Sequence, residues 1–155
     1  MKPLNPAYLK RICQLVDTCP YFQLLSMRLI EAGQGASLLT IDLDTRHLQP
    51  FGIVHGGVFA SIVDAAAFWA VYGDLADPTA GLTTVDLKLN YLAPASNGQL
   101  TARGKTIKLG RRLGYAEAFV FNQTGTLVAH GTSTVMVLAG KAMNADPPLP
   151  AKFID

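Results

Sequence analysis

The sequence has little charge and little cysteine, and each shortage excludes a class of protein. Only 15% of the 155 residues are charged and the formal net charge is +2, which is too small by itself to indicate nucleic-acid binding. The two cysteines, Cys13 and Cys19, lack metal-ligand spacing, so we expect reduced thiols in the cytosol. No grouping of His, Cys and carboxylate residues has such spacing either, and we predict no metal.

We also expect no targeting or membrane segment. The N-terminus has prolines and charges where a signal peptide needs a continuous apolar stretch, so we expect a cytoplasmic protein. The longest apolar run, residues 56–73, carries Asp64 at its middle and is shorter than the roughly 20 residues that span a bilayer. We therefore interpret it as a buried helix of a protein that does not enter a membrane.

Apolar residues, by contrast, are abundant. Half of the residues are hydrophobic, which is a high share for a chain of the usual size of one domain. We expect part of this apolar surface to be buried between subunits. The prediction is a homodimer, or a homotetramer built as a dimer of dimers.

The pattern along the chain predicts an α+β domain. Asn5 and Pro6 are typical of a helix start, and the apolar spacing that follows predicts a short helix over residues 6–17. Period-two alternation and turn residues predict six strands, two before the apolar helix and four after it. These segments are residues 27–32, 37–45, 83–92, 99–108, 113–122 and 127–138.

One apolar helix among about six antiparallel strands is best hidden if the sheet curls around it. This arrangement is the hotdog fold, and we expect one such domain over residues 1–140. Residues 141–155 contain several prolines and no periodicity, so we predict an irregular C-terminal tail.

Asp64 is the candidate for chemistry. A carboxylate within an apolar helix costs several kcal/mol to bury unless it is paired or solvated. The alternative is an Asp that bonds a neighbouring backbone group or Lys for local reasons. Its position in mid-helix, where it cannot be a cap, favours a functional role.

His55, Gly56 and Gly57 directly precede the same helix. Glycines there leave the first backbone N–H groups accessible at the positive end of the helix dipole, where they can bind negative charge developing on a carbonyl oxygen. The alternative is a tight loop-to-helix turn. Gly56 and Asp64 are roughly 12 Å apart along one helix, so both can act on one carbonyl only if two antiparallel helices meet across a twofold axis.

The motifs resemble a known family. The stretch QPFGIVHGG at residues 49–57, the acid at Asp64 and the stretch TVDLKLNY at residues 84–91 are similar to the hotdog acyl-CoA thioesterases. The resemblance covers about residues 20–138. It is strongest to the branches named for the phenylacetate-pathway thioesterase and for the Gly-Gly-containing type of 4-hydroxybenzoyl-CoA thioesterase.

The resemblance implies a role for each motif residue. Asp64 would be the nucleophile or general base, and the Gly56 N–H would polarise the thioester carbonyl. Gln49 would orient the water or the thioester. His55 would have an orienting role, although it could also be a catalytic acid.

In the branch of the family that has Asp on the helix, a small hydroxyl residue assists the attacking water. The resemblance places this hydroxyl at Thr84, with the adjacent Thr83 as the alternative. The branch with Gln in the loop usually has Glu in place of Asp64 and a hydroxyl residue where this chain has Phe68. The branch with Asp usually has Asn in place of Gln49. Because the sequence mixes the two patterns, direct activation of water and an acyl-enzyme anhydride both stay open.

A basic cluster offers a site for the phosphates of coenzyme A, which is part of the substrate, so no separate cofactor is expected. Arg111 and Arg112 are the first candidates, followed by Lys108, and His130 would be a packed residue or lie at the edge of the coenzyme site. The alternative is a solvated edge strand. The whole cluster is Arg103, Lys105, Lys108, Arg111 and Arg112.

Two other functions compete with acyl-CoA hydrolysis. A hotdog dehydratase would act on the same thioesters, but its catalytic His is usually followed by a Pro-Gly loop, which this chain lacks. A non-catalytic acyl-CoA-binding module would not need Asp64. The acyl group stays open among aryl, short-chain and medium-chain types.

Overall fold

The computed structural model describes residues 3–154, and residues 1, 2 and 155 of the predicted domain and tail lie outside the described residues. The described chain contains three α-helices, one short 3-10 helix and six β-strands. The helices are α1 (Pro6–Asp17), α2 (Pro20–Leu24) and α3 (Gly56–Asp74), with the 3-10 helix at Thr45–His47. The strands are β1 (Met27–Gly33), β2 (Ala36–Asp42), β3 (Gly81–Tyr91), β4 (Gln99–Leu109), β5 (Leu113–Phe121) and β6 (Leu127–Leu138).

The strands form one sheet in the order β1-β2-β4-β5-β6-β3, and every neighbouring pair is antiparallel. Helix α3 contacts all six strands, so the sheet curls around it. The predicted hotdog fold is confirmed.

Small residues allow α3 to lie close to the sheet. A Cβ atom at Gly104 of β4 would lie 2.1 Å from the backbone oxygen of Ala66, so this position requires glycine. Ser37 of β2 donates a hydrogen bond to the same oxygen. By length and composition alone α3 would also suit a membrane span, but most of it is buried inside the fold, as in the core helix of a globular domain.

Two local features differ from the sequence predictions. Helix α2 was not predicted, because a five-residue helix gives no periodic signal. Strand β2 ends at Asp42 rather than at residue 45, because the Leu43 N–H bonds to the carbonyl oxygen of Gly98 and Asp44 caps the 3-10 helix. Helix α1 has the predicted bounds, with the Asn5 side chain as its N-cap.

The C-terminal tail has no helix or strand in its described part, residues 141–154, but it is anchored. Phe153 forms an isolated bridge with Leu4. Lys152 is only 3% exposed, and its Nζ donates to the carbonyl oxygens of Tyr72 and Leu75, each at 2.8 Å. The tail thereby adds hydrogen bonds to carbonyl oxygens at the C-terminal end of α3, where the Tyr72 oxygen also accepts from the Leu75 N–H.

Candidate active site

A β-bulge in β3 brings a hydroxyl to the middle of α3. The pairing of β3 with β6 shifts between Thr84 and Asp86, which leaves Val85 as the extra residue. The side chains of Thr84 and Leu87 both line the cavity beside α3, although strict alternation would place them on opposite faces. The bulge therefore allows Thr84 and Leu87 to face the same cavity.

Asp64 and Thr84 are in direct contact. The Thr84 hydroxyl donates a 2.8 Å hydrogen bond to Oδ1 of Asp64. Burial raises the pKa of Asp64 above its ordinary value, and the Thr84 hydrogen bond lowers this pKa by a smaller amount. None of the ion pairs found among residues 3–154 includes Asp64, so the carboxylate is a half-buried acid that has no cationic partner among these residues.

The Asp64 carboxylate lies in the wall of a cavity of about 490 Å³. Helix α3 supplies one wall, the β3 residues Thr84 and Leu87 supply another, and the α2 residues together with Met27 complete it. Most of the lining is apolar or aromatic, as in pockets that hold small organic groups. The lining residues are Tyr21, Phe22, Met27, Ala60, Ser61, Asp64, Ala65, Phe68, Trp69, Thr84 and Leu87.

The N-terminus of α3 is capped in a way that leaves one donor accessible. Nδ1 of His55 accepts a hydrogen bond from the Gly57 N–H at 2.9 Å, so the His55 side chain is the N-cap of the helix. As the first helical residue, Gly56 has no intrahelical acceptor for its own N–H. The Tyr91 hydroxyl bonds to the Gly56 carbonyl oxygen at 3.3 Å, and a Cβ at Gly56 would lie 2.8 Å from that hydroxyl.

Gln49 lies in the tight loop that precedes α3. Its backbone N–H bonds to the Ile53 carbonyl, and its own carbonyl accepts from the Gly52 N–H. The side-chain oxygen accepts from the Phe51 N–H, so the amide nitrogen is the end of the side chain left to meet a substrate or water. Gly52 has a φ of +79°, a conformation that favours glycine.

A single chain brings together only some of the predicted catalytic residues. Asp64 and Thr84 line the cavity, whereas Gln49, His55 and Gly56 do not. Along the helix, Gly56 and Asp64 are separated by roughly 12 Å. The N-terminal donor and the carboxylate of one chain therefore cannot act on the same carbonyl group.

The predicted coenzyme A residues lie elsewhere. Lys108, Arg111 and Arg112 are exposed at the hairpin between β4 and β5. His130 pairs with Glu117 at 3.3 Å and packs on the ring of Phe119. Its neighbours in β6 face α3, so alternation places His130 on the outer face of the sheet, away from Asp64.

Three residues of the site were missed by the sequence analysis. Tyr91 is the last residue of the stretch at residues 84–91, but nothing in the sequence indicates its contact with Gly56. Ser61 precedes Asp64 by three residues, a helical spacing that places both side chains on one face. Tyr21 comes from α2, and its hydroxyl lies 2.6 Å from Oγ of Ser61; no local sequence signal indicates this contact.

No group of His, Cys, Asp and Glu side chains that could hold a metal ion occurs within residues 3–154. The arrangement that is present, a half-buried carboxylate with a raised pKa and a hydroxyl donor in an apolar cavity, suits acid–base chemistry on an acyl group.

Comparison with known proteins identifies the family. A family model described as Thioesterase superfamily matches residues 51–129. A Halobacterium salinarum protein named as a candidate esterase is 32% identical over 125 residues, which cover 78% of this chain and 82% of the relative. Acyl-coenzyme A thioesterase 13 of Mus musculus is 25% identical over 81% of this chain and 91% of the relative.

A solved structure shows the same fold. A thioesterase of Haemophilus influenzae superposes with a TM-score of 0.81 at 23% identity and covers 94% of this chain and 100% of its own. The family match begins at Phe51, two residues after Gln49, and includes helix α3 and strands β3 to β5. The chain therefore belongs to the thioesterase superfamily and is a thioester hydrolase.

Proposed function

We propose that this hydrolase cleaves acyl-CoA thioesters to the free acid and coenzyme A, with Asp64 as the general base. The observation that carries the proposal is the half-buried Asp64 carboxylate in an apolar cavity, with the Thr84 hydroxyl on one of its oxygens. Thr84 holds Oδ1, which leaves Oδ2 free to accept a proton from water. The water oxygen then bonds to the carbonyl carbon and the carbon–sulfur bond breaks. The sulfur takes up the proton that Asp64 accepted and leaves as the thiol, which returns Asp64 to its carboxylate form.

The proposed site is shared between two subunits. Within the described chain β3 pairs only with β6, so its other edge is unpaired, and it carries the exposed apolar residues Val85, Leu87 and Tyr91. An unpaired apolar edge favours pairing with another strand. Two copies joined along β3 would place their α3 helices antiparallel, so that the Gly56 N–H of one subunit polarises the carbonyl attacked at Asp64 of the other.

Coenzyme A is the proposed carrier of the acyl group for two reasons. The exposed Lys108, Arg111 and Arg112 offer charge for its phosphates, and the mouse relative is named an acyl-coenzyme A thioesterase. In this proposal His55 and Gln49 orient the reacting groups, and His130 is a packed residue of the outer face. Assembly into a homotetramer and a cytoplasmic location stay predictions.

Thiol release from benzoyl-, phenylacetyl-, hexanoyl- and lauroyl-CoA tests the proposal. We expect rapid release by the purified protein, with kcat at least a hundredfold lower in Asp64→Asn, the lower end of the usual contribution of a general base, roughly 10²–10⁴-fold. Asp74→Asn, which changes the last residue of the same helix, is the matched control and should retain turnover. Full turnover by Asp64→Asn would overturn the role of Asp64, and tight binding of every acyl-CoA without release by the parent protein would indicate a binding module.

A further inference from the structure

Helix α2 forms one wall of the cavity that holds Asp64. Tyr21 and Phe22 both line this cavity, although no residue of α2 is buried. Phe22 is half-buried and packs against the core, whereas Tyr21 is exposed. The helix thus holds Tyr21 at the rim of the cavity, where its ring can limit the size of what the cavity accepts.

A hydrogen bond fixes the ring of Tyr21. Its hydroxyl lies 2.6 Å from Oγ of Ser61, and Ser61 itself donates to the Gly57 carbonyl oxygen at 2.8 Å. Because the single hydroxyl proton of Ser61 is engaged with Gly57, Tyr21 is the donor in the pair. The Tyr21 side chain is 53% exposed, so this bond, rather than close packing, holds the ring in place.

The anchor point of Tyr21 is close to the proposed chemistry. Ser61, Asp64, Ala65 and Phe68 follow one another at helical spacing along one face of α3. All four line the cavity. Tyr21 is thus attached one helical turn before the carboxylate, on the same face.

The cavity around this face suits an apolar group of limited size. Apart from Asp64 and the three hydroxyl groups, its lining consists of apolar and aromatic side chains. Its volume of about 490 Å³ falls in the range of roughly 300–1,000 Å³ that is usual for small-molecule sites. An acyl group whose carbonyl carbon is attacked at Asp64 would extend along these side chains.

We propose that Tyr21 is a specificity-determining residue whose ring, fixed by Ser61, limits the length of the acyl group. The inference rests on the proposed acyl-CoA hydrolysis and names its substrate class as apolar acyl groups short enough to end at this ring. Longer chains would have to displace the ring and break its hydrogen bond to Ser61.

The test compares kcat/KM for hexanoyl-, octanoyl-, lauroyl- and palmitoyl-CoA among variants. Each methylene that becomes buried favours binding by about fourfold, so opening the wall with Tyr21→Ala should raise the ratio of lauroyl to hexanoyl hydrolysis by about tenfold or more. Tyr21→Phe keeps the ring but loses the hydrogen bond, and its ratio should lie between those of the parent protein and Tyr21→Ala. Thermal unfolding of each variant confirms that the fold is retained.

Leu24→Ala is the matched control, since Leu24 is an exposed apolar residue of the same helix and is not part of the cavity lining. A ratio within twofold of the parent value in Tyr21→Ala would overturn the proposal, as would an equal change in Leu24→Ala. Failure of the proposed function itself is recognised separately, because Asp64→Asn would then hydrolyse substrates of every length at the parent rate.

Discussion

The hydroxyl of Thr84 and the carboxylate of Asp64 are joined by a 2.8 Å hydrogen bond between the edge strand β3 and the middle of α3. Burial of the carboxylate raises the pKa of Asp64, and the bond from Thr84 opposes that rise. A single hydroxyl thus sets how readily the proposed base is ionised, and the pH dependence of the reaction reports on it.

Replacing Thr84 by valine should move the acid limb of the pH profile. The hydroxyl stabilises the ionised carboxylate, so its loss raises the pKa of Asp64 further, and kcat/KM will begin to fall at a higher pH than in the parent protein. Thr84→Ser should restore the parent profile, and Thr83→Val is the control at the adjacent threonine. An acid limb that stays in place in Thr84→Val would show that the hydrogen bond does not govern the ionisation of Asp64.

Replacing Asp64 by asparagine should abolish turnover without a loss of stability. The pKa of Asp64 is higher in the folded chain than the ordinary value that it has in the unfolded chain. Between these two pKa values the folded chain binds more protons than the unfolded one, so the free energy of unfolding falls as the pH rises. Asparagine does not ionise, and the free energy of unfolding at pH 7 should be equal to that of the parent protein or higher by about 0.5–2 kcal/mol. Urea unfolding at roughly pH 4 and pH 7 measures the difference. A clear loss of stability at pH 7 would contradict the raised pKa.

Much of the fold follows from periodicity. Alternation predicted the strands, and the apolar helix with one carboxylate predicted both the core and the residue at the centre of the site. The sequence does not show which of Thr83 and Thr84 supplies the hydroxyl beside Asp64, because the bulge at Val85 breaks the alternation in the strand that carries both residues. Register defects of this kind depend on tertiary packing and leave no clear pattern in one sequence.

Contacts between residues far apart in the sequence could not be predicted either, because they also depend on tertiary packing. The Tyr21 hydroxyl meets Ser61 through a helix too short for a periodic signal. The buried His47 accepts a hydrogen bond from the Asp44 N–H at 2.9 Å, and its other ring nitrogen bonds to the Leu25 carbonyl. Each contact depends on how loops close over the core, which only the assembled fold determines.

A charged residue at the unpaired edge of β3 should prevent dimerisation, and activity should be lost with the dimer. Val85 is 53% exposed at the bulge of the unpaired edge strand, so Val85→Arg would bury a charge in the proposed interface. We expect sedimentation to show a monomer, and kcat/KM to fall at least a hundredfold, because each site would lose the Gly56 N–H of the other subunit.

Ile107 provides a matched control for the edge substitution. It is 51% exposed and lies at the bulge of β4, a strand with neighbours on both sides. Ile107→Arg should leave the dimer and its turnover unchanged. A fully active monomer of Val85→Arg would contradict the shared site.

The buried lysine of the C-terminal tail should make stability depend on pH in the alkaline range. Burial lowers the pKa of Lys152 from 10.5 to about 8, although the nearby carboxylates of Asp74 and Asp77 oppose the shift. Between these two values the unfolded chain binds more protons than the folded one, so the free energy of unfolding should rise with pH. The pKa values of Tyr8 and Tyr72 are raised in the folded chain, which reverses the trend once tyrosines of the unfolded chain ionise above about pH 10.

The expected window is therefore roughly pH 8 to 10, where Lys152 should contribute an increase of roughly 1 to 3 kcal/mol by urea unfolding. Burial also raises the pKa of the Cys13 thiol, which opposes the increase in the upper part of this window, so the contribution of Lys152 is the difference between the parent protein and Lys152→Met. Lys152→Met should remove the increase, because methionine carries no proton to release, whereas Lys141→Met in the exposed part of the same tail should keep it. Lys152→Met should also lose the two hydrogen bonds to the carbonyl oxygens of Tyr72 and Leu75, so amide hydrogen exchange at the last turn of α3 should become faster. A stability that varies with pH in the same way in the parent protein and in Lys152→Met across this window would show that Lys152 keeps an ordinary pKa, and that the tail is not closed over it in solution.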